Sequence, residues 1–252
     1  MAASSLALNV LFCHNICIKS GELRSNTEAN TQRFIAKHTS IPVPAVHHAF
    51  AHGGKTYILM ERIHGDTLGS KWTSLSEASR SAILLQLKCM LEELRGLVPP
   101  SEGIANVDGG PLHDCRLPFK PSWGPFDTVS DFHLTLRNDV TSAALDHEAC
   151  SLDPVCIADV KRIIAFHDSV VHRPVFTHGD LNPRNILVRD GKIVAIIDWE
   201  TAAWMPYYWE YTTIRQDVMR NTWWHREVHK FLQPYESEYA MDSLRRQYFG
   251  EL

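Results

Sequence analysis

No stretch of this chain approaches the ~20 consecutive apolar residues that a membrane-spanning helix requires. None of its six cysteines stands in a Cys-x-x-Cys pair; they are scattered at 13, 17, 89, 115, 150 and 156. A chain of 252 residues can bury a core without covalent staples, so this scatter argues against a disulfide scaffold and for a reducing compartment. Cys13 and Cys17 are the nearest pair, but no second Cys/His pair has the spacing of a structural metal site. A positive excess is also missing: 25 Lys and Arg stand against 29 Asp and Glu, a net charge of -4. Nothing global therefore favours nucleic acid or an anionic membrane. The start, Met1 to Phe12, is mildly apolar but lacks a basic leader and a cleavage site, so it reads as a strand and not a signal peptide. A cytoplasmic location is expected. There is no internal repeat, and no glycine occurs between Met1 and Asn15.

What is present reads as a mixed α and β chain. Residues 13–19 are partly β-branched and end near Gly21, which suggests a strand. Thr27 to His38 carries Ala29, Phe34, Ile35 and Ala36 and suggests a short helix, stopped by Ile41-Pro-Val-Pro44 because proline disfavours helical geometry in the residue before it. Val46–Phe50 and Thr56–Ile63 read as a hairpin around Gly53-Gly54. Ser74-x-x-Glu77 suggests a capping box for a helix whose Ile83, Leu84, Leu87, Met90, Leu91 and Leu94 recur at helical spacing up to Gly96. Pro99 to Pro125 reads as a long irregular excursion. A second helical face joins Val160, Ile163, Ile164, His167, Val170 and Val171 ahead of Pro174, with His167 as a packed histidine.

The chemistry lies between Thr177 and Glu200, in the run THGDLNPRNILVRDGKIVAIIDWE. Asp190-Gly191 between apolar runs predicts a tight hairpin. Pairing Arg189 with Lys192 then places Val188 opposite Ile193, Leu187 opposite Val194 and Asn185 opposite Ile196. That register carries Asn185 and Asp198 to one edge of the sheet, with Asp180 on the loop feeding the first strand. An amide oxygen and a carboxylate suit magnesium, which is held by one or two carboxylates together with substrate phosphates. A further Asp can orient and deprotonate an accepting hydroxyl. Each residue alone is an ordinary turn residue; their joint spacing points to catalysis.

These residues resemble the catalytic loop and metal-binding segment of the aminoglycoside phosphotransferase/choline kinase family, relatives of the protein kinases. His-Gly-Asp stands where protein kinases have His-Arg-Asp, and Ile-Asp-Trp-Glu where they have Asp-Phe-Gly. The resemblance implies Asp180 as catalytic base, Asn185 and Asp198 as Mg2+ ligands, and His178 as a support for the loop. It implies that Lys19 holds the ATP phosphates, that Glu28 pairs with Lys19, and that Met60, Glu61 and Ile63 form a hinge meeting adenine. Similarity covers about residues 16–66 and 175–210, with an echo at Gly124-Pro125-Phe126, and is nearest to fungal members. The fold implied is α+β and bilobal, protein-kinase-like. Residues 1–63 would form a reduced, truncated N-terminal nucleotide-binding β lobe, and 64–252 a mainly helical C-terminal catalytic lobe.

The family would place a strand, a glycine-containing phosphate loop and another strand ahead of the lysine strand, and the fifteen residues before Ile16 hold no glycine. Two readings from different classes follow: an ATP- and Mg2+-dependent phosphotransferase acting on a small-molecule hydroxyl, or a kinase-like binding protein without turnover. A metal-dependent hydrolase using Asp180 and Asp198 is a third, but it leaves Lys19, Glu28 and the hinge without a purpose. The aromatic run Trp199, Trp204, Tyr207, Tyr208, Trp209 and Tyr211, with Glu200 and Glu210, either packs the lower lobe or cages a cationic substrate.

Overall fold

The computed structural model describes residues 9–22, 26–114, 117, 123–148, 153–216 and 222–250, with the backbone alone at Asn9, Glu22, His147, Glu148 and Thr222. Residues 1–8 of the expected leading strand, parts of the Pro99–Pro125 excursion (115–116 and 118–122), Cys115 and Cys150 lie outside them.

Period-two burial builds the first sheet. Strands β1 (Asn9–Cys13), β2 (Ile16–Glu22), β3 (Val46–His52) and β4 (Lys55–Glu61) lie in the antiparallel order β1-β2-β4-β3. In β4 every second residue, Thr56, Ile58 and Met60, is buried. Cys17 lies opposite Met60 and Lys19 opposite Ile58, so Lys19 emerges on the apolar face. Helix α1 (Thr27–His38) lies against this face, with Ala29 packed among Cys17, Ile58 and Met60. The predicted strand at 13–19 is corrected to a hairpin: Cys13 ends β1, and β2 starts only at Ile16, after a turn in which His14 has φ 49°. Cys13, Cys17, Cys89 and Cys156 are free thiols.

The far side of α1 belongs to a larger core. The Phe34 ring lies 5.4 Å from Phe176 and 6.4 Å from Trp204, and the Ser40 hydroxyl donates to Glu93 at 2.6 Å. After β5 (Asp66–Thr67) and the single turn α2 (Leu68–Lys71) comes α3 (Glu77–Arg95), which buries Ile83, Leu84, Leu87, Leu91 and Leu94 as its spacing predicts and ends at Gly96. Its cap is a correction. Residues 72–74 form a 3-10 turn, so Ser76 and not Ser74 accepts from the first turn, at Ser79 N. The Pro/Gly-rich excursion is packed where described. It forms β6 (Ala105–Asn106), bridges Ile104 to Phe126 and Leu112 to Trp123, and buries Ile104, Leu112 and Trp123 with Phe132, Phe126 packing partly buried against them.

Helices α4 (Val129–Leu136), α5 (Ser142–Glu148) and α6 (Pro154–Ser169) follow, then β7 (Val175–Thr177), β8 (Ile186–Arg189), β9 (Lys192–Ile196) and β10 (Ala203–Met205). Helices α7 (Trp209–Gln216), α8 (Thr222–Glu227) and α9 (Glu236–Phe249) complete the fold. Helix α6 ends at Ser169, earlier than Pro174 suggests, and Val171 is exposed instead of joining the apolar face. His167 is packed, as expected, and stacks on His133 with ring centroids 4.2 Å apart. Strand β10 lies between β6 and β7, while β8 lies between β5 and β9. No helix among the described residues is long and apolar enough to cross a membrane.

Candidate active site

Strand β7 delivers the chain to the loop His178–Asn185 at the Thr177–Ala203 pair. Gly179 turns the loop with φ 82°, and a Cβ there would sit 2.8 Å from the Thr201 carbonyl, so both conformation and space require glycine. The loop amides are met by one buried carboxylate: Glu210, on α7, accepts from His178 N at 2.7 Å and Gly179 N at 3.2 Å. The fully buried His178 ring accepts from Asp180 N at Nδ1 (3.2 Å) and donates from Nε2 to the Ile197 carbonyl (3.0 Å). Both ring nitrogens are thus committed to backbone, which suits a loop support and not a proton carrier. Two outer bonds brace the loop further, Trp224 Nε1–H to Leu181 O at 3.0 Å and Gly69 N–H to Pro183 O at 2.9 Å.

The Asp180 carboxylate receives Nδ2 of Asn185 at 3.0 Å and Nδ2 of Asn182 at 3.1 Å, both on Oδ2. The Asn185 amide nitrogen also donates to Asp180 O at 2.9 Å. Because that nitrogen faces two oxygens, Oδ1 of Asn185 is the atom left to meet a metal.

Asp190 and Gly191 both have positive φ, 51° and 74°, the signature of the tight turn their sequence predicts. The register holds for Arg189–Lys192 and Val188–Ile193 and then shifts: Leu187 faces Ala195, and Ile186 faces Ile196. Val194 is therefore an extra residue, and the predicted pairings of Leu187 with Val194 and Asn185 with Ile196 are corrected. Instead Ile197 N donates to Asn185 O at 2.9 Å, so the bulge draws Asp198 one position nearer to Asn185. Gly65 lies against this place, where an added Cβ would come within 3.0 Å of Val194.

Asp198 takes a left-handed conformation, φ 66° and ψ 58°, and turns its carboxylate to Lys19 at 2.6 Å. Lys19 also pairs with Glu28 at 2.8 Å and lies 3.9 Å from Glu200. Both Lys19 and Glu28, which as isolated charges would be expected at the surface, are buried. Burial opposes the Lys19 charge, yet Glu28, Asp198 and Glu200 together hold its ammonium above the ordinary lysine range. Burial pushes the Glu28 carboxyl up to about 7, against the pull of Lys19. Glu28, Asp198 and Glu200 each bring an oxygen within 4.8 Å of the others. Three carboxylates around one ammonium leave a negative excess, and hard oxygen donors at this spacing fit a divalent cation such as Mg2+.

The structure thus brings Lys19, Glu28 and Asp198 together, and Asp180 with Asn185, the two groups joined through the Ile197 peptide. It places Met60 with its side chain in the core between sheet and α1. The N–H groups of Glu61 and Arg62 are taken by the carbonyls of Ala45 and Asn15, so Ile63 follows the paired part of this segment. Among the aromatic run, Trp199, Trp204, Tyr208, Trp209 and Tyr211 are core residues, which favours packing over a cage; Glu200 faces Lys19, and Glu210 faces the loop amides. Glu210, Asn182 and Trp224 have site contacts that the motif alone does not reveal. A lone acid inside Tyr-Tyr-Trp-Glu-Tyr was the one available sign that Glu210 is buried and paired.

The model of the phosphotransferase enzyme family, APH, matches residues 22–246. No curated protein matches the chain by sequence. Among solved structures, aminoglycoside phosphotransferase APH(4)-Ia is similar with a TM-score of 0.57 at 18% identity, covering 95% of this chain and 83% of that one. The streptomycin-ATP ternary complex of APH(2")-IIa gives 0.57 at 15% identity, over 98% and 79%. ADP-bound APH(2'')-Ib gives 0.53 at 15% identity, over 98% and 79%. These likenesses share the α+β, protein-kinase-like fold.

Proposed function

The chain belongs to the phosphotransferase enzyme family, APH, and on that footing we propose that it transfers the γ-phosphate of ATP to a hydroxyl of a small molecule. The observation that carries this reading is the meeting of Lys19, Glu28 and Asp198, from three separate elements, beside the Asp180–Asn185 loop. Residues 1–63 act as the nucleotide lobe and 64–252 as the catalytic lobe. ATP and ADP in the solved structures of relatives support a nucleotide substrate. Lys19 steadies the nucleotide phosphates, Glu28 holds Lys19 in place, and adenine is received at the hinge, with Ile63 as the contact past the paired peptides of Met60 and Glu61.

Asp198 and Asn185, with Glu200 alongside, are the groups that would hold Mg2+. When bound, the ion neutralises phosphate charge and orients the γ-phosphate. Asp180 accepts the proton of the attacking hydroxyl and aims its oxygen at phosphorus. Glu210 and His178 keep the loop backbone in register while that proton moves. The acceptor is a small molecule carrying a hydroxyl, a reading supported by the similar APH(2")-IIa, whose solved ternary complex holds streptomycin and ATP.

The nucleotide binding that this reading requires is tested by thermal unfolding. With ATP and Mg2+ at about a hundred times the dissociation constant, mass action adds about 2.7 kcal/mol, and the melting temperature rises several degrees. Asp198→Ala removes most of that rise. A wild type whose melting is unmoved by ATP and Mg2+ contradicts the reading.

A further inference from the structure

Asn182 stands two residues after Asp180, 4% exposed, and no role in the reaction has yet been given to it. Its amide orientation is determined by what surrounds it. Oδ1 accepts the backbone N–H of Arg184 at 2.9 Å, so the nitrogen must face the other way. There Nδ2 lies 3.1 Å from Asp180 Oδ2, the same oxygen that Asn185 Nδ2 reaches at 3.0 Å. Two amide donors three positions apart on the same loop therefore converge on a single carboxylate oxygen.

We infer that Asn182 is a positioning residue that, with Asn185, clamps Oδ2 of Asp180 and so sets the orientation of the carboxylate that takes the hydroxyl proton; this rests on the phosphotransferase reading. A carboxylate on a loop can rotate about its terminal torsion, which has a broad minimum. One donor restrains an oxygen; two donors from different directions fix the plane of the group. Because Asn182 is buried, water does not readily replace the lost donor. The two asparagines are not equivalent. Asn185 spends its nitrogen on Asp180 and keeps its oxygen for the metal side, whereas Asn182 spends its oxygen on the Arg184 peptide. Asn182 thus ties the position of the base to the backbone of its own loop and has no atom left for the metal. Misplacing a reacting group by about 1 Å costs on the order of a hundredfold in rate.

Asn182→Asp separates this role from simple loop support. Aspartate keeps the oxygen that accepts from Arg184 N–H, so the turn is retained, but it sets a carboxylate oxygen against Asp180 Oδ2 where a donor stood. Asn182→Ser is the second variant: its hydroxyl can serve the turn but is too short to reach Asp180. Steady-state kinetics with ATP and an acceptor phosphorylated by the wild type, together with thermal melting, provide the readout. The expected result is a kcat at least about a hundredfold lower in Asn182→Asp and about tenfold lower in Asn182→Ser, with KM for ATP within about threefold of wild type in both. If Asn182 only supports the loop, both variants keep a kcat within threefold of wild type, or lose kcat and ATP affinity together with folding; either result overturns the inference. An active wild type that loses activity in Asp180→Asn but not in the Asn182 variants overturns this inference alone, whereas a wild type without phosphotransfer overturns both.

Discussion

Replacing Asp180 with asparagine lowers phosphoryl transfer by about a thousandfold, the typical worth of a positioned general base, while the stabilisation conferred by ATP and Mg2+ is retained. In free-energy terms the loss is about 4 kcal/mol of the barrier. The substitution is nearly isosteric, and its oxygen can still accept from Asn182 and Asn185, so the loop has no reason to rearrange. It removes only the capacity to take the hydroxyl proton. Paired measurement of kcat and of ATP-dependent melting checks this. A variant that keeps more than a tenth of wild-type kcat would show that Asp180 is not the base.

The second large effect concerns stability in mild acid. His133 and His167 stack in the core between α4 and α6, and both side chains are buried. Arg137 donates to His167 Nδ1 at 3.2 Å, and His133 shares hydrogen bonds with Tyr208 OH at 2.8 Å and His167 O at 3.3 Å. Burial drives the His133 pKa down to about 3. Burial, then His133, Arg137 and Arg245, drive that of His167 further down, with Asp242 the acid near His133. In the unfolded chain both titrate near 6.5. Below that pH the unfolded state binds two protons that the folded state does not, so stability is full above about 6.5 and is lost as pH falls toward 3. Between pH 7 and pH 5 the pair removes about 4 kcal/mol. Glu28, raised by burial, acts in the opposite sense over the same window. The histidine share is isolated by urea unfolding of the wild type and of a His133→Asn/His167→Gln variant at both pH values. The variant's loss is expected to be about 4 kcal/mol smaller than the wild type's, and equal losses would refute the account.

Local signals carried the reading of the fold as far as they could physically reach. Helix α1 has the boundaries its composition predicts, because Thr27 opens it and the Ile41-Pro42 step forbids its extension. The Asp190-Gly191 turn is likewise a local event, requiring two residues that tolerate positive φ. The bulge at Val194 is not local: it arises where β5 and Gly65 press on the hairpin, and alternation of side chains within β9 cannot reveal it. The same distinction separates Ser76 from Ser74, since the 3-10 turn at 72–74 depends on packing of Trp72 against the core.

For the candidate site, the spacing from His178 to Asp198 marks a candidate constellation in the sequence alone, whereas Lys19 and Glu28 enter it only through family resemblance. Their burial could not be read from residue type, because it depends on α1 covering one face of the sheet. Glu210 reaches the loop from more than thirty residues away, and Glu200, two positions after the left-handed Asp198, lies 3.9 Å from Lys19 on a distant strand. Such contacts are set by tertiary packing, where sequence spacing carries no information.

The most direct test is phosphorus NMR of the wild-type protein with ATP, Mg2+ and a panel of hydroxyl-bearing small molecules, including aminoglycosides, choline, other amino-alcohols and sugars. The account predicts that at least one acceptor yields a phosphomonoester signal matched one to one by ADP, and that Asp180→Asn suppresses it. ATP left unchanged throughout the panel, or converted only to ADP and inorganic phosphate, would contradict it.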